Sequence, residues 1–197
     1  MKFSVTREAL LRPLTIVAGA VERRQTMPIL SNLLIIVSGN KLVITGTDLE
    51  VELSATIALD SAAEVNGDIT VPARKLVDIC KSLPDSCEIS FSVDQGKAVV
   101  KSGRSRYTLA TLAAADFPSV QKDESSFSAT VNQGDFAQLI DRTAFSMAQQ
   151  DVRYYLNGML WELSGNKLKA VATDGHRLAI AHIDLVDEIQ GDKQQFI

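Results

Sequence analysis

Cysteine is scarce in this sequence: Cys80 and Cys87 are the only thiols among 197 residues. Two thiols in so long a chain make no disulfide framework, and neither stands in a zinc-ligand spacing. Both are read as ordinary reduced cysteines, and neither a metal nor a cofactor is expected. Long apolar runs are missing as well. No stretch approaches the roughly 18 consecutive apolar residues that a membrane span requires. The first residues carry charges at Lys2, Arg7 and Glu8 with no apolar run behind them, which fits neither a secretory signal nor an anchor. A soluble, cytoplasmic protein with no membrane partner is the expectation.

Positive charge is missing from one whole stretch. Residues 47–68 hold Asp48, Glu50, Glu52, Asp60, Glu64 and Asp68 but no Lys or Arg. Bases gather elsewhere, at Arg7, Arg12, Arg23 and Arg24, at Arg74, Lys75 and Lys81, and at Lys101, Arg104 and Arg106. The net charge of −4 argues against nucleic acid only as a sum. Segregated charge permits one basic face on an acidic body. What is present in quantity is apolar: 46% of residues are hydrophobic and 22% charged, enough for one or two domains with real cores.

An internal repeat organises the chain. Residues 29–57 and 155–183 align without a gap at an offset of 126, with 11 of 29 positions identical, including the run Ser-Gly-Asn-Lys-Leu and a shared Thr-Asp. The same offset pairs Val5 with Val131, Leu10 with Phe136 and Leu14 with Ile140. Two homologous domains follow.

Each copy reads as a short strand, a capped helix and further strands. In the first, residues 3–5 form a strand, Thr6 caps a helix, and Leu10, Leu14 and Val17 recur at helical spacing. Strands over 33–37 and 42–44 are joined at Ser38-Gly39-Asn40, and alternation from Val51 to Ile57 predicts a half-buried strand that takes in Leu49 and Glu50 as well. A second set follows: a strand at 69–71, a helix from Pro72 to about Leu83, and strands near 88–93, 98–101 and 106–109. The first domain thus holds two strand–helix–three-strand units. The polar stretch beginning at Asp116-Phe117-Pro118 reads as a linker. The second copy predicts a helix over residues 133–145, and at the offset of 126 its matching stops where a second helix is due. The expected layout is a complete domain over 1–124 and the first half of another over 125–197, with no third domain.

The runs Pro28-Ile29-Leu30, Thr45-Gly46-Thr47-Asp48-Leu49-Glu50 and Val71-Pro72-Ala73-Arg74-Lys75 are specific. So are Asp116-Phe117-Pro118, Phe145-Ser146-Met147-Ala148, the run from Asp151 to Gly158, and Ala172-Thr173-Asp174-Gly175-His176-Arg177-Leu178. Together and in this order they resemble the beta subunit of bacterial DNA polymerase III, the sliding-clamp family, over essentially the whole chain. The resemblance implies an α+β DNA-clamp fold of tandem domains, with helices lining the hole and sheets outside, closed as a head-to-tail homodimer. It implies a processivity factor that encircles double-stranded DNA without sequence preference. Its partners would be the replicative DNA polymerase, the clamp loader, and repair polymerases and other proteins carrying a clamp-binding motif.

The site residues implied by the resemblance fall in three groups. Arg24 and Gln150 match positions that contact DNA, and helix location adds Arg7, Arg12, Arg74, Lys75 and Lys81, five bases against Glu8 and Asp78 on the same helices. Leu156, Thr173, Gly175, His176, Arg177 and Leu178 match a pocket for partner peptides. Arg104, Arg106, Tyr107 and Leu109, with Lys75, match an edge that meets the other subunit. Where the first copy continues Thr47-Asp48 with Leu49-Glu50-Val51, the second has Gly-His-Arg, and divergence at one loop of a repeat points to an acquired site. Thr173, Asp174 and His176 stand close together, yet no ligand spacing or nucleophile motif accompanies them, so no catalytic residue is assigned. No helix-turn-helix, zinc finger or aromatic RNA-binding strand is present. The competing reading is a stand-alone peptide-binding scaffold that shares the domain and never encircles DNA.

Overall fold

Thr6 converts the first strand into the first helix. In the computed structural model, which describes residues 1–21, 27–118 and 129–196 (the last ten by backbone alone), β1 (Lys2–Thr6) runs directly into α1 (Arg7–Val17). The Thr6 hydroxyl accepts from the Ala9 N–H at 3.4 Å, satisfying one of the helix's orphan donors. Leu10, Leu14 and Val17 fall on one face and are buried, as their spacing predicts.

The strands β2 (Asn32–Ser38), β3 (Lys41–Thr47) and β4 (Glu52–Ala58) form a meander, and β5 (Gly67–Pro72) returns to pair with β2. After α2 (Ala73–Ser82) come β6 (Glu88–Asp94), β7 (Lys97–Ser102) and β8 (Ser105–Ala110). The strand order is β4-β3-β2-β5 in one sheet and β1-β6-β7-β8 in the other. The two units therefore exchange their leading strands: β1 joins the second unit's sheet and β5 the first's. Phe3 pairs with Phe91 across that exchange, their rings stacked at 5.1 Å. One core cluster draws on both sheets and both helices, with Leu14, Leu33, Leu42, Ile44, Leu76 and Ile89 at 0–1% exposure. Gln95 and Gly96, at φ 47° and 71°, make the two-residue turn between β6 and β7.

Two expectations change here. Residues 49–51 are not strand: Asp48 to Val51 is a turn, and β4 begins at Glu52. Its cause is local, since the Asp48 carboxylate accepts from the N–H groups of Glu50 at 2.9 Å and Val51 at 2.7 Å. Phe117, read as linker, is 8% exposed and packs with Ile29 and Leu30. The remainder of that stretch, residues 119–128, lies outside the described residues.

The chain divides into two units, Met1–Lys122 and Asp123–Ile197. In the second, Asn132 caps α3 (Gln133–Asp141), accepting from the N–H groups of Gly134 and Asp135. The helix ends before Phe145, which lies in a 3-10 turn, Ala144–Ser146. Thr143 bends its hydroxyl back to the Leu139 carbonyl at 2.8 Å, beside that end. Residues 129–132 form no strand. Their counterpart at the offset of 126 is β1, which is laddered with β6 and bridged from Lys2 to Val65.

Two long strands, β9 (Leu160–Thr173) and β10 (Leu178–Phe196), complete this unit. Their register repeats the first copy. Leu178 to Asp184 runs against Lys167 to Thr173 as β4 runs against β3, and Lys193 to Phe196 runs against Leu160 to Leu163 as β5 runs against β2. Gly165, at φ 56°, stands within β9 at the position where Gly39, at φ 58°, turns β2 into β3. Phe136 of α3 stacks on Trp161 of β9 at 5.0 Å, seating the helix on the sheet.

Candidate functional site

The turn between β9 and β10 is built by its own side chains. Thr173 accepts from the Gly175 N–H at 3.1 Å and donates to the Arg177 carbonyl at 2.7 Å. The Asp174 carboxylate accepts from the N–H groups of His176 and Arg177, both at 2.9 Å, and from the Arg177 Nε at 2.9 Å. Those backbone donors, with the Arg177 guanidinium, hold the Asp174 carboxyl down at about 2. Gly175 sits at φ 88°, a region few side chains tolerate. The turn presents His176, Arg177 and Leu178 to solvent, Leu178 at 61% exposure.

Facing it is the segment 148–157, closed on itself by a bond from the Ala148 N–H to the Leu156 carbonyl at 2.9 Å. Between the two lies a depression of about 680 Å³ lined by residues that include Phe145, Gln150, Arg153, Asp174, His176 and Arg177. Gln150 thus shares a depression with His176 and Arg177, although the resemblance assigns them to different partners. Thr173, Gly175, Leu156 and Leu178 are not among its lining residues. Leu156 lies largely beneath the surface, at 9% exposure. The Arg177 guanidinium stands 5.8 Å from the centre of the Phe145 ring. Gln150 itself has φ 59°, a strained backbone for a non-glycine residue.

The helix bases are not alike. Arg7 is committed internally: its Nε donates to the Cys80 carbonyl at 2.9 Å and its guanidinium meets Asp85 at 2.6 Å, with only 15% of the side chain exposed. It ties the start of α1 to the end of α2, so its charge is spent within the fold. Arg12, Arg74, Lys75 and Lys81 are exposed, and among the described residues none of them forms an ion pair. Arg74 and Lys81 line one groove of about 370 Å³ between α1 and α2, with Asp78 between them. Arg24 lies outside the described residues. Among the described residues no group of three or more His, Cys, Asp or Glu could hold a metal ion, and no helix is long and apolar enough to cross a membrane.

Two family models cover nearly all of the chain: DNA polymerase III beta subunit, N-terminal domain, over residues 1–121, and the central domain of the same subunit over residues 130–197. The chain belongs to the DNA polymerase III beta subunit family. The beta sliding clamp of Pseudomonas aeruginosa is 59% identical over 93% of this chain and 50% of its own length. A crystal structure of the DNA polymerase III subunit beta from that organism matches with a TM-score of 0.96 at 55% identity, covering all of this chain and 53% of the other. A second, of the Pseudomonas aeruginosa clamp bound to griselimycin, matches at 0.95 and 56% identity, again over the whole chain and 53% of the other. The α+β architecture is therefore that of the sliding clamps, and the chain spans about half the length of the relatives it matches.

Against that family fold, the edge residues separate. β8 is an outer strand of its sheet, and Arg104 and Arg106 stand exposed on or beside it. Leu109 does not: its side chain is 4% exposed and lies in the core cluster. Tyr107 is half-buried against the same core. Arg153, not among the site residues expected from the sequence, joins the two halves of the depression. It stands within the run Asp151 to Gly158, but its neighbour across the depression is 21 positions away.

Proposed function

We propose that this chain is part of a sliding clamp, a processivity factor that closes around duplex DNA, tethers a polymerase and carries out no catalysis. Residues 1–124 would be one clamp domain and 125–197 would belong to a second, in a protein whose two copies close head to tail. The observation that carries the reading, beyond family membership, is the division of charge. Arg12, Arg74, Lys75 and Lys81, which form no ion pair among the described residues, project from the helices, whereas the acids of 47–68 lie on β4, β5 and their connections. A ring with its helices inward would present bases to phosphate and acids to solvent. Such contact is weak and blind to sequence, as sliding demands. Arg24 and Gln150 belong to this DNA-facing set, and Arg7 contributes least to it.

The turn 173–178 with Leu156 serves as the docking point for polymerases, the clamp loader and repair proteins, through apolar anchors around Leu178. Exposed Arg104 and Arg106, with Lys75, Tyr107 and the β8 backbone, serve the contact between subunits. Topology supplies the test. The full-length protein loaded on nicked circular DNA should remain bound through gel filtration and be lost when the circle is cut. Equal retention on circular and linear DNA would reject encirclement and favour a peptide-binding scaffold.

A further inference from the structure

The segment 148–157 and the turn 173–177 meet at Arg153. Its guanidinium is gripped by Asp151, with Nε 3.0 Å from Oδ1 and one terminal nitrogen 2.8 Å from Oδ2. Asp151 is fixed in turn by Asn157, whose side-chain oxygen accepts the Asp151 N–H at 2.9 Å and whose amide donates to the Asp151 carbonyl at 3.0 Å. From that anchor Arg153 reaches the Asp174 carbonyl at 3.5 Å. It also lies against Gly175: a Cβ built there would stand 3.4 to 3.8 Å from three guanidinium atoms, in ordinary contact with them. On the far side, Arg177 is bonded to Asp174 and stands over Phe145. The turn is thus braced from two directions.

We propose that Arg153, locked by Asp151, is a positioning residue that holds the turn 173–178 in its docking geometry before a partner arrives. This rests on the reading of that turn as the docking site. A turn ordered in advance spares a partner the cost of ordering it, so loss of the brace appears as lost affinity. The Arg153 and Asp151 side chains are 49% and 23% exposed. Breaking an ion pair at that depth barely disturbs the fold, so affinity and stability should part company.

The experiment uses the full-length protein with griselimycin as the probe, measuring its Kd and the Tm of each variant. Asp151→Asn and Arg153→Ala should each weaken binding roughly tenfold, the double variant should be no weaker than either alone, and Tm should hardly move. Gly175→Ala, which strains the turn at φ 88° without displacing the guanidinium, should weaken binding from the turn's own side. If Arg153→Ala weakens binding while Asp151→Asn does not, Arg153 touches the ligand directly and the positioning role is overturned. If neither matters while Leu178→Ser abolishes binding, the docking site stands and the brace does not. If Leu178→Ser is also without effect, the docking site itself has failed, and the brace with it.

Discussion

Residue 49 and residue 175 occupy the same place in the two copies, and both sit in the left-handed region, at φ 81° and 88°. The Thr-Asp pair before each makes the same turn: Thr47 accepts from the Leu49 N–H at 3.0 Å as Thr173 accepts from that of Gly175. Divergence between the copies thus lies in the side chains displayed and not in the backbone. Leu49 carries a strain that Gly175 avoids, and at 52% exposure its side chain recovers little by burial. Leu49→Gly should therefore stabilise the first unit by about 0.5–1 kcal/mol, the strain of a left-handed leucine less the greater chain entropy of glycine. Urea unfolding of the two proteins side by side checks it, and a loss of stability would show that Leu49 packs in a way its exposure denies. The thiols offer a second contrast. Burial pushes the Cys80 thiol up to about 11, and the residue is wholly enclosed, whereas Cys87 is half-buried. An aromatic disulfide reagent should titrate one thiol in the native protein and the second only on unfolding. Two fast-reacting thiols in the native state would contradict the buried position of Cys80.

At the scale of elements, the turn 173–178 should be governed by Asp174. Its carboxyl is depressed to about 2, so the bonds it makes are fully present above its unfolded value near 3.9 and are lost as pH falls through 2. The amide NMR shifts of His176 and Arg177 should accordingly titrate with a midpoint near 2. A midpoint near 4 would mean that the carboxylate does not cap the turn. Elements of this kind were unevenly legible in the sequence. Helical spacing at Leu10, Leu14 and Val17, Thr6 as a cap and Gly39 as a turn each act within a few residues, and each appeared where expected. The exchange of β1 and β5 between sheets is a long-range choice that no local pattern encodes. Along β8 the inward and outward positions were legible: Arg106 and Thr108 are exposed while Tyr107 and Leu109 turn inward, a period of two. At the candidate site, divergence of the repeat pointed to the loop of His176 and Arg177, but their sharing a depression with Gln150 was not legible, since it depends on tertiary folding around Arg153.

For the molecule as a whole, the two units should differ in their resistance to opening. Among the described residues the first unit's main cluster contains 24 buried apolar residues, and the second unit's contains seven. In the first, α1 and α2 pack on each other and on two four-stranded sheets, and β1 and β5 cross between those sheets. Opening either half must break ladder bonds in the other, which makes the unit one cooperative body. The second has α3 on the β9–β10 sheet, with the Phe136–Trp161 stack as a principal tie. Its strand Leu178 to Asp184 also forms a sheet edge, with Leu178 and Ile180 at 61% and 59% exposure. Among the described residues fewer apolar side chains are withdrawn from water in this cluster, so less free energy opposes opening. Hydrogen exchange on this chain should therefore show β2, β3 and β4 exchanging only through global unfolding of the first unit. Amides of β9 and the first half of β10 should exchange faster, by roughly tenfold for each 1.4 kcal/mol of difference. Phe136→Ala should widen the gap, accelerating β9 and β10 while leaving β2 to β4 unchanged, because the two clusters share no residue. Uniform protection across both sheets, or a Phe136→Ala effect that spreads into β2 to β4, would show instead that the units open as one.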